Sequence, residues 1–170
     1  MLLVMTDKEL LAMCNDRLTL NEDTGGLTWS RSFGRAKGGS IAGSVSFYGY
    51  LTIRMDRKLY QAGRLVFLMV HGYLPPEVDH MDNNPLNNKP SNLRAATRSE
   101  NMRNTRSSKN STSKYLGVHF DRNLGKWRSR IYIKDKSVHL GCFSDEIDAA
   151  RSYDVAAVDS FGEFANLNFK

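Results

Sequence analysis

The chain has 170 residues, 41% of them hydrophobic, with 24 Lys and Arg against 18 Asp and Glu and two cysteines. That composition makes a core and fits one ordinary domain or two small ones. It excludes a membrane-spanning helix, because the longest apolar run is only Leu65 to Val70, and it excludes a disulfide framework or a Cys-x-x-Cys zinc site, because Cys14 and Cys142 stand alone.

Met1 to Met5 has no basic flank ahead of it, so a secretory leader is not expected and the chain reads as soluble and cytoplasmic. A short helix is predicted over residues 6–15, where Thr6 and Glu9 have capping-box spacing. Strands are predicted at 18–20, 26–29, 44–47, 50–54 and 58–60, with Asp56-Arg57 turning the last pair. Between them Arg31 to Gly39 is basic and glycine-rich, the composition of a mobile loop whose Arg31, Arg35 and Lys37 could touch a polyanion. Residues 62–71 read as a buried helix stopped by Gly72 and then Pro75-Pro76.

From Asp82 to Asn92 almost every residue is a turn former, so this stretch cannot pack a core and should be a long structured loop. Short apolar runs flank it at 77–80 and 93–96, and Thr97 or Ser99 then caps a helix through Arg103. The order is strand, loop, strand, helix. Residues 105–114 are polar and Ser/Asn/Lys-rich, a linker composition, which divides the chain into domains 1–104 and 115–170. Three strands follow, at 115–120, 126–133 and 137–143, and then a helix from about Asp145 to Phe161 with Ser144 as N-cap. Cys14 and Cys142 have apolar neighbours and are expected in the core, as are Met5, Met13, Met55 and Met69.

Charge is unevenly spread. Residues 114–136 hold seven basic and two acidic side chains, whereas 137–170 hold two basic and six acidic. A small domain built this way has a positive face and a negative face. In the middle strand Trp127, Ser129, Ile131 and Ile133 share one side, and Arg128, Arg130 and Tyr132 share the other. The apolar side should meet the helix and leave the arginines outward, suited to DNA.

The chemistry-bearing group is Asp79-His80 with Asn92 and Asn101. A hard cation such as Mg²⁺ takes oxygen ligands, often one or two from protein, with water and phosphate completing the shell. Asp79 offers a carboxylate and Asn101 an amide oxygen. His80 is the natural general base, because imidazole ordinarily titrates near neutral pH. Neighbours in a strand point oppositely, so Asp79 and His80 can serve one target only at a strand end or bulge.

Those residues resemble the HNH endonucleases of phage and mobile introns. The resemblance rests on Arg64-Leu65-Val66, Val78 to Asp82, Asn87-Asn88, Ser91 to Arg94, Ala96-Thr97, Glu100-Asn101 and Asn104. It extends forward to Gly26 to Trp29, Gly49 to Leu51 and Lys58 to Tyr60. It implies a ββα-metal fold, Asp79 and Asn101 as ligands of Mg²⁺ or another divalent ion such as Mn²⁺, and His80 as general base. Asn92 would fix the loop that keeps His80 in register, while Arg94 and Asn104 would reach phosphate. Many relatives carry His where Gly63 stands here.

The second half resembles the ethylene-response-factor (Apetala-two type) DNA-binding domain. The matching residues include Tyr115, Gly117-Val118, Gly125 to Trp127, Leu140-Gly141, Phe143, Asp148 to Arg151, Tyr153-Asp154, Ala156-Ala157 and Ala165 to Phe169. The resemblance implies a three-stranded antiparallel sheet packed on one helix, giving an α+β chain overall. Lys114, Arg122, Lys126 and Lys136 would contact phosphates, with Arg128, Arg130, Tyr132 and His139 on the base-reading face. Relatives often have arginines at the positions of Leu116 and His119 and tryptophan at that of His139, so no target sequence carries over. The expected partner is double-stranded DNA, with no membrane, no structural zinc, and a monomeric or homodimeric state. The implied role is a site-directed, homing-type nuclease, in the host cytoplasm if phage-encoded. The rival roles are a regulator on an inactive nuclease scaffold and a nonspecific nuclease.

Overall fold

In the computed structural model the described residues are 5–103, 111–134 and 136–169. They form two units, Met1–Arg98 and Ser99–Lys170.

The first unit opens with helix α1 (Asp7–Arg17), whose capping box is complete: the Glu9 N–H donates to Thr6 Oγ1 and the Thr6 N–H to the Glu9 carboxylate. Strands β1 (Leu18–Asn21) and β2 (Gly26–Trp29) form a hairpin. β3 (Ser44–Val45), β4 (Leu51–Met55) and β5 (Lys58–Gln61) form an antiparallel sheet in that order. The predicted third strand stops two residues early, leaving Phe47 in a turn. Asp56 and Arg57 turn the β4–β5 hairpin with positive φ of 46° and 67° and without a glycine. A bidentate ion pair from Arg17 to Asp56, at 2.6 and 3.1 Å, ties that turn to the end of α1.

Helix α2 (Ala62–His71) supplies Leu65, Val66 and Leu68 to a core shared with Cys14, Leu27, Ile53 and Met55. Met5, Met13 and Met69 pack at its edge. The basic loop at 31–39 is held rather than loose. Phe33 and Ala36 exchange backbone hydrogen bonds of 2.9 Å, the Phe33 ring lies under the guanidinium groups of Arg17 and Arg31, and Arg31 pairs with Asp16. Glycine content alone pointed to mobility; one aromatic ring between two arginines overrides it.

Strands β6 (Glu77–His80) and β7 (Leu93–Ala96) pair antiparallel, with Asp79 opposite Arg94 and His80 opposite Leu93. Helix α3 (Arg98–Arg103) follows in sequence.

The second unit is the expected three-stranded antiparallel sheet, β8 (Val118–Asp121), β9 (Lys126–Ile133) and β10 (Lys136–Phe143), with helix α4 (Glu146–Phe161) on one side. Ala149, Ala150, Tyr153 and Ala157 bury the helix against Val118 and Ile131. The N-cap is Asp145, not Ser144: its carboxylate accepts from the N–H groups of Ile147 and Asp148. A carboxylate at that position satisfies two orphan donors and complements the helix dipole, which a hydroxyl one residue earlier cannot do.

Asn168 closes the unit. Its amide oxygen accepts from the Leu116 N–H at 2.7 Å, while its own N–H and that of Phe169 donate to Asp154. Of the stretch read as a linker, residues 105–110 lie outside the described residues. Ser113 donates to Glu146 at 2.7 Å and Thr112 accepts from the Phe120 N–H.

Candidate functional site

The loop between β6 and β7 is organised by side-chain amides. Asn92, 9% exposed, donates through Nδ2 to Asp82 Oδ1 (2.9 Å) and the Asn87 carbonyl (2.8 Å), and its Oδ1 accepts from the Asp82 N–H (3.1 Å). Asn87 donates to the other Asp82 oxygen at 2.7 Å, and the Asn84 N–H donates to Asp82 Oδ1. Burial alone would raise the Asp82 carboxyl. The bonds from Asn87, Asn84 and Asn92, with His80 nearby, outweigh it and hold the group below its ordinary range. One ionised carboxylate is therefore the hub of the loop.

His80 is the last residue of β6, the strand-end position that sequence reading required of it. Its Nε2 lies 3.0 Å from Asn88 Oδ1. An amide oxygen can only accept, so in this contact Nε2–H is the donor. Asn88 is 3% exposed. Behind both groups lies Gly63 on α2: a Cβ there would stand 2.8 Å from Asn88 Oδ1 and 3.2 Å from His80 Nε2. The absence of a side chain at 63 makes room for the Asn88–His80 contact. Sequence reading singled out the Asn87-Asn88 doublet and Gly63 but gave Asn88 no role. Nothing in a linear pattern separates two adjacent asparagines, one turned to Asp82 and the other to an imidazole.

Asp79 is 3% exposed and its carboxylate is engaged by Arg94, with Nε at 2.8 Å and a second guanidinium nitrogen at 2.7 Å. A buried carboxylate requires a cation nearby, and Arg94 supplies one. Arg94, expected to point at phosphate, thus sits beside the expected metal ligand. Asn101 lies on α3, in the second unit, and Asn104 lies outside the described residues.

By chemistry alone the Asp79 carboxylate and the Asn101 amide oxygen are donors of the kind a hard divalent cation takes, and the Arg94 guanidinium on Asp79 Oδ2 would compete with such an ion for that oxygen. Among the described residues no three His, Cys, Asp or Glu side chains converge on one point.

On the second unit Arg130, Tyr132, Lys126, Arg122, Lys136, Lys114 and His139 are exposed. The Arg130 guanidinium lies 5.6 Å from the Tyr132 ring centre, and Lys114 covers Tyr115. Arg128 is not the open arginine expected: it pairs with Asp121 at 3.0 Å. His119 on the same face has a buried Nδ1 without a partner. Burial, then Arg130 and Arg128, lower its pKa, only partly offset by Asp121. Cys142 is exposed rather than in the core, with Sγ 3.7 Å from His139 Nε2. The cause is a bulge: His139 pairs with Arg130 but Gly141 with Ser129, so Leu140 is extra and Cys142 lands outward, opposite Arg128.

Fold and site define a chain of two modules, a strand–loop–strand–helix segment with an amide-locked histidine and a basic sheet backed by one helix. Residues 60–103 match the HNH endonuclease family model. The C-terminal region is similar to AP2-type transcription factors of Arabidopsis thaliana. The AP2-like ethylene-responsive transcription factor TOE2 is 44% identical over 64 residues, 38% of this chain and 13% of that protein. The AP2/ERF and B3 domain-containing repressor TEM1 is 46% identical over 72 residues, 42% of this chain and 20% of that protein. The uncharacterized HNH endonuclease L560 of Acanthamoeba polyphaga mimivirus is 34% identical over 121 residues, 68% of this chain and 61% of that one. Among solved structures, the HNH homing endonuclease I-HmuI aligns at 27% identity with a TM-score of 0.38, covering 51% of this chain and 49% of that chain. The chain therefore joins an HNH-type segment to an AP2-type segment, and it spans less than two thirds of each of these relatives.

Proposed function

We propose that the protein is a divalent-metal-dependent DNA endonuclease whose C-terminal sheet directs it to a target. The observation that supports the reading is the setting of His80: its Nε2 lies 3.0 Å from Asn88 Oδ1, the Asn92 network orders the adjoining loop, and both lie inside the segment that matches the HNH model. His80 Nδ1 is the proton acceptor for a water that attacks the phosphodiester. Asn88 Oδ1, accepting from Nε2–H, would orient the ring and stabilise the imidazolium formed when Nδ1 takes that proton. Asp79 and Asn101 would hold the cation, which when bound stabilises negative charge on the leaving oxygen. Arg94 keeps the Asp79 carboxylate oriented, and Arg94 and Asn104 then assist phosphate binding.

On the sheet, Arg130, Tyr132, His139 and Arg128 face the bases, and Lys114, Arg122, Lys126 and Lys136 face phosphates. Binding should weaken steeply with salt. The working division is a nuclease domain at 1–104, a linker and a targeting domain at 115–170. A monomer would nick, and a homodimer would cut both strands. A homing-type role in a phage or mobile element is the biology this arrangement suits.

The deciding experiment is plasmid cleavage with Mg²⁺ or Mn²⁺, comparing the wild type with His80→Ala and Asp79→Asn. Metal-dependent cutting that falls at least 10²-fold in both variants is expected. DNA binding without any metal-dependent cutting by the wild type would favour a regulator on a nuclease scaffold. A cleavage pattern unchanged by Lys126→Ala with Arg130→Ala would favour a nonspecific nuclease.

A further inference from the structure

The turn between β3 and β4 carries two large aromatic side chains into solvent. Phe47 is 98% exposed and Tyr48 82%. Isolated exposed apolar residues are ordinary, but two adjacent aromatic rings at the tip of a hairpin are a surface awaiting a partner.

The tip is rigidly built. The Ser46 N–H donates to the Tyr50 carbonyl at 2.8 Å, the Gly49 N–H to the Ser46 carbonyl at 2.9 Å, and the Tyr50 N–H to Ser46 Oγ. The two rings brace each other edge to face, 5.6 Å apart at 83°. The turn's hydrogen bonds hold the backbone that carries the two rings.

Position and charge select the partner. Tyr50, next along the chain from Gly49, has its ring 6.4 Å from that of His80, and a Cβ on Gly49 would reach Pro85 of the amide-locked loop at 4.0 Å. The tip thus stands beside the candidate site, within the same unit. In sequence, residues 31–58 hold six basic side chains (Arg31, Arg35, Lys37, Arg54, Arg57, Lys58) against one acidic, Asp56; Asp56 pairs with Arg17 and Arg31 with Asp16, which leaves five basic side chains in excess. Exposed aromatic rings in a cationic setting suit nucleobases above a phosphate backbone rather than an acid-poor protein surface.

We infer that Phe47 and Tyr48 form a wedge that inserts between bases of duplex DNA next to the scissile phosphate. The wedge unstacks one base step and bends the backbone towards His80, the action of apolar side chains in DNA-kinking proteins. This rests on the DNA-cleaving reading above. It adds a DNA contact in the first unit that is independent of the C-terminal sheet.

Insertion unwinds the helix, which can be read without knowing the target sequence and without cleavage. Full-length protein is bound to closed circular plasmid in EDTA, the plasmid is relaxed with a metal-independent topoisomerase, and its linking number is measured after the protein is removed. The wild type should lower the linking number in proportion to occupancy. Phe47→Ala with Tyr48→Ala should abolish that change at equal occupancy, and Phe47→Trp should retain it. The double alanine variant should also cut at least tenfold more slowly when Mg²⁺ is present. Equal linking-number changes in the wild type and the double variant would overturn the inference. So would a dimer of the wild type that the double variant dissolves with DNA topology unaffected, since the tip would then be a contact between copies. If the wild type never cuts but its unwinding still needs Phe47 and Tyr48, the wedge stands and the nuclease reading falls.

Discussion

The loop at 81–92 and the sheet-and-helix unit solve the same problem with opposite means. The loop buries almost no apolar surface and is ordered by amides around Asp82, with Asn92 alone making three hydrogen bonds. The second unit is ordered by volume: alanines of α4 let the helix lie close on Val118 and Ile131, and Tyr153 fills the gap beside Gly117. A polar lock fixes the groups it holds by direction as well as distance but fails when one of them is removed. A packed interface survives the loss of a single hydrogen bond but fails when one atom is added.

Two substitutions break that contrast most directly. Gly117 has φ of 71°, and a Cβ there would lie 2.1 Å from the Tyr153 ring and 2.5 Å from the Arg130 carbonyl. Gly117→Ala combines left-handed strain with a clash on both backbone and ring, so about 3–5 kcal/mol should be lost. Urea denaturation should show it, with hydrogen exchange rising across β8 to α4 and not in α1 or α2. Asn92→Ala leaves Asp82 and the Asn87 carbonyl short of partners in a part-buried site and should lose about 2–4 kcal/mol. The exchange pattern should be reversed, with protection lost at 81–92 and kept in the sheet. Loss spread over both units by either variant would mean that the two do not fold on separate principles.

What the sequence disclosed and what it withheld divide along similar lines. Caps, strand periods and the α4 stripe depend on neighbours within a few residues, so α1, the β4–β5 hairpin, α2 and all three C-terminal strands could be read directly. The role of Asn88 could not be read, because it depends on α2 bringing a residue without a side chain against β6. Cys142 was misplaced for a different reason: apolar neighbours pointed to the core, but one extra residue at Leu140 shifts the register and sets Cys142 opposite Arg128, on the outer side. Phe47, expected to end a strand, lies instead with Tyr48 in the exposed turn that follows β3.

A subtler test of the polar lock is Gly63→Ala. The helix itself would welcome alanine, by up to about 1 kcal/mol. The added methyl, however, meets the Asn88 oxygen at 2.8 Å and the His80 ring at 3.2 Å. Stability should change little, while Mg²⁺-dependent cleavage falls about tenfold as the imidazole is displaced, equivalent to about 1.4 kcal/mol in the barrier. Unchanged cleavage would show that the Asn88–His80 distance is not under tight control.

The smallest expected effect is on acid sensitivity, and it again separates the two regions. His119 in the sheet has its pKa lowered by burial and by Arg130 and Arg128, below the ordinary 6.5 that the unfolded chain should show. Between those two values the unfolded state binds the proton that the folded state refuses, so stability falls as pH drops through 6.5 and levels off below the folded value. Asp82 is also lowered, but from 3.8, so the stability it lends the loop persists until pH falls through its still lower folded value. Taking the protein from pH 7 to pH 5 should therefore weaken β8–β10 slightly while leaving residues 81–92 as protected as before. His119→Gln should remove the slope in the sheet, because a neutral amide has no proton to gain. A slope that survives this change would have to come from another group on that face, with His139 the first to replace, and the unpartnered Nδ1 would then matter less than its burial implies.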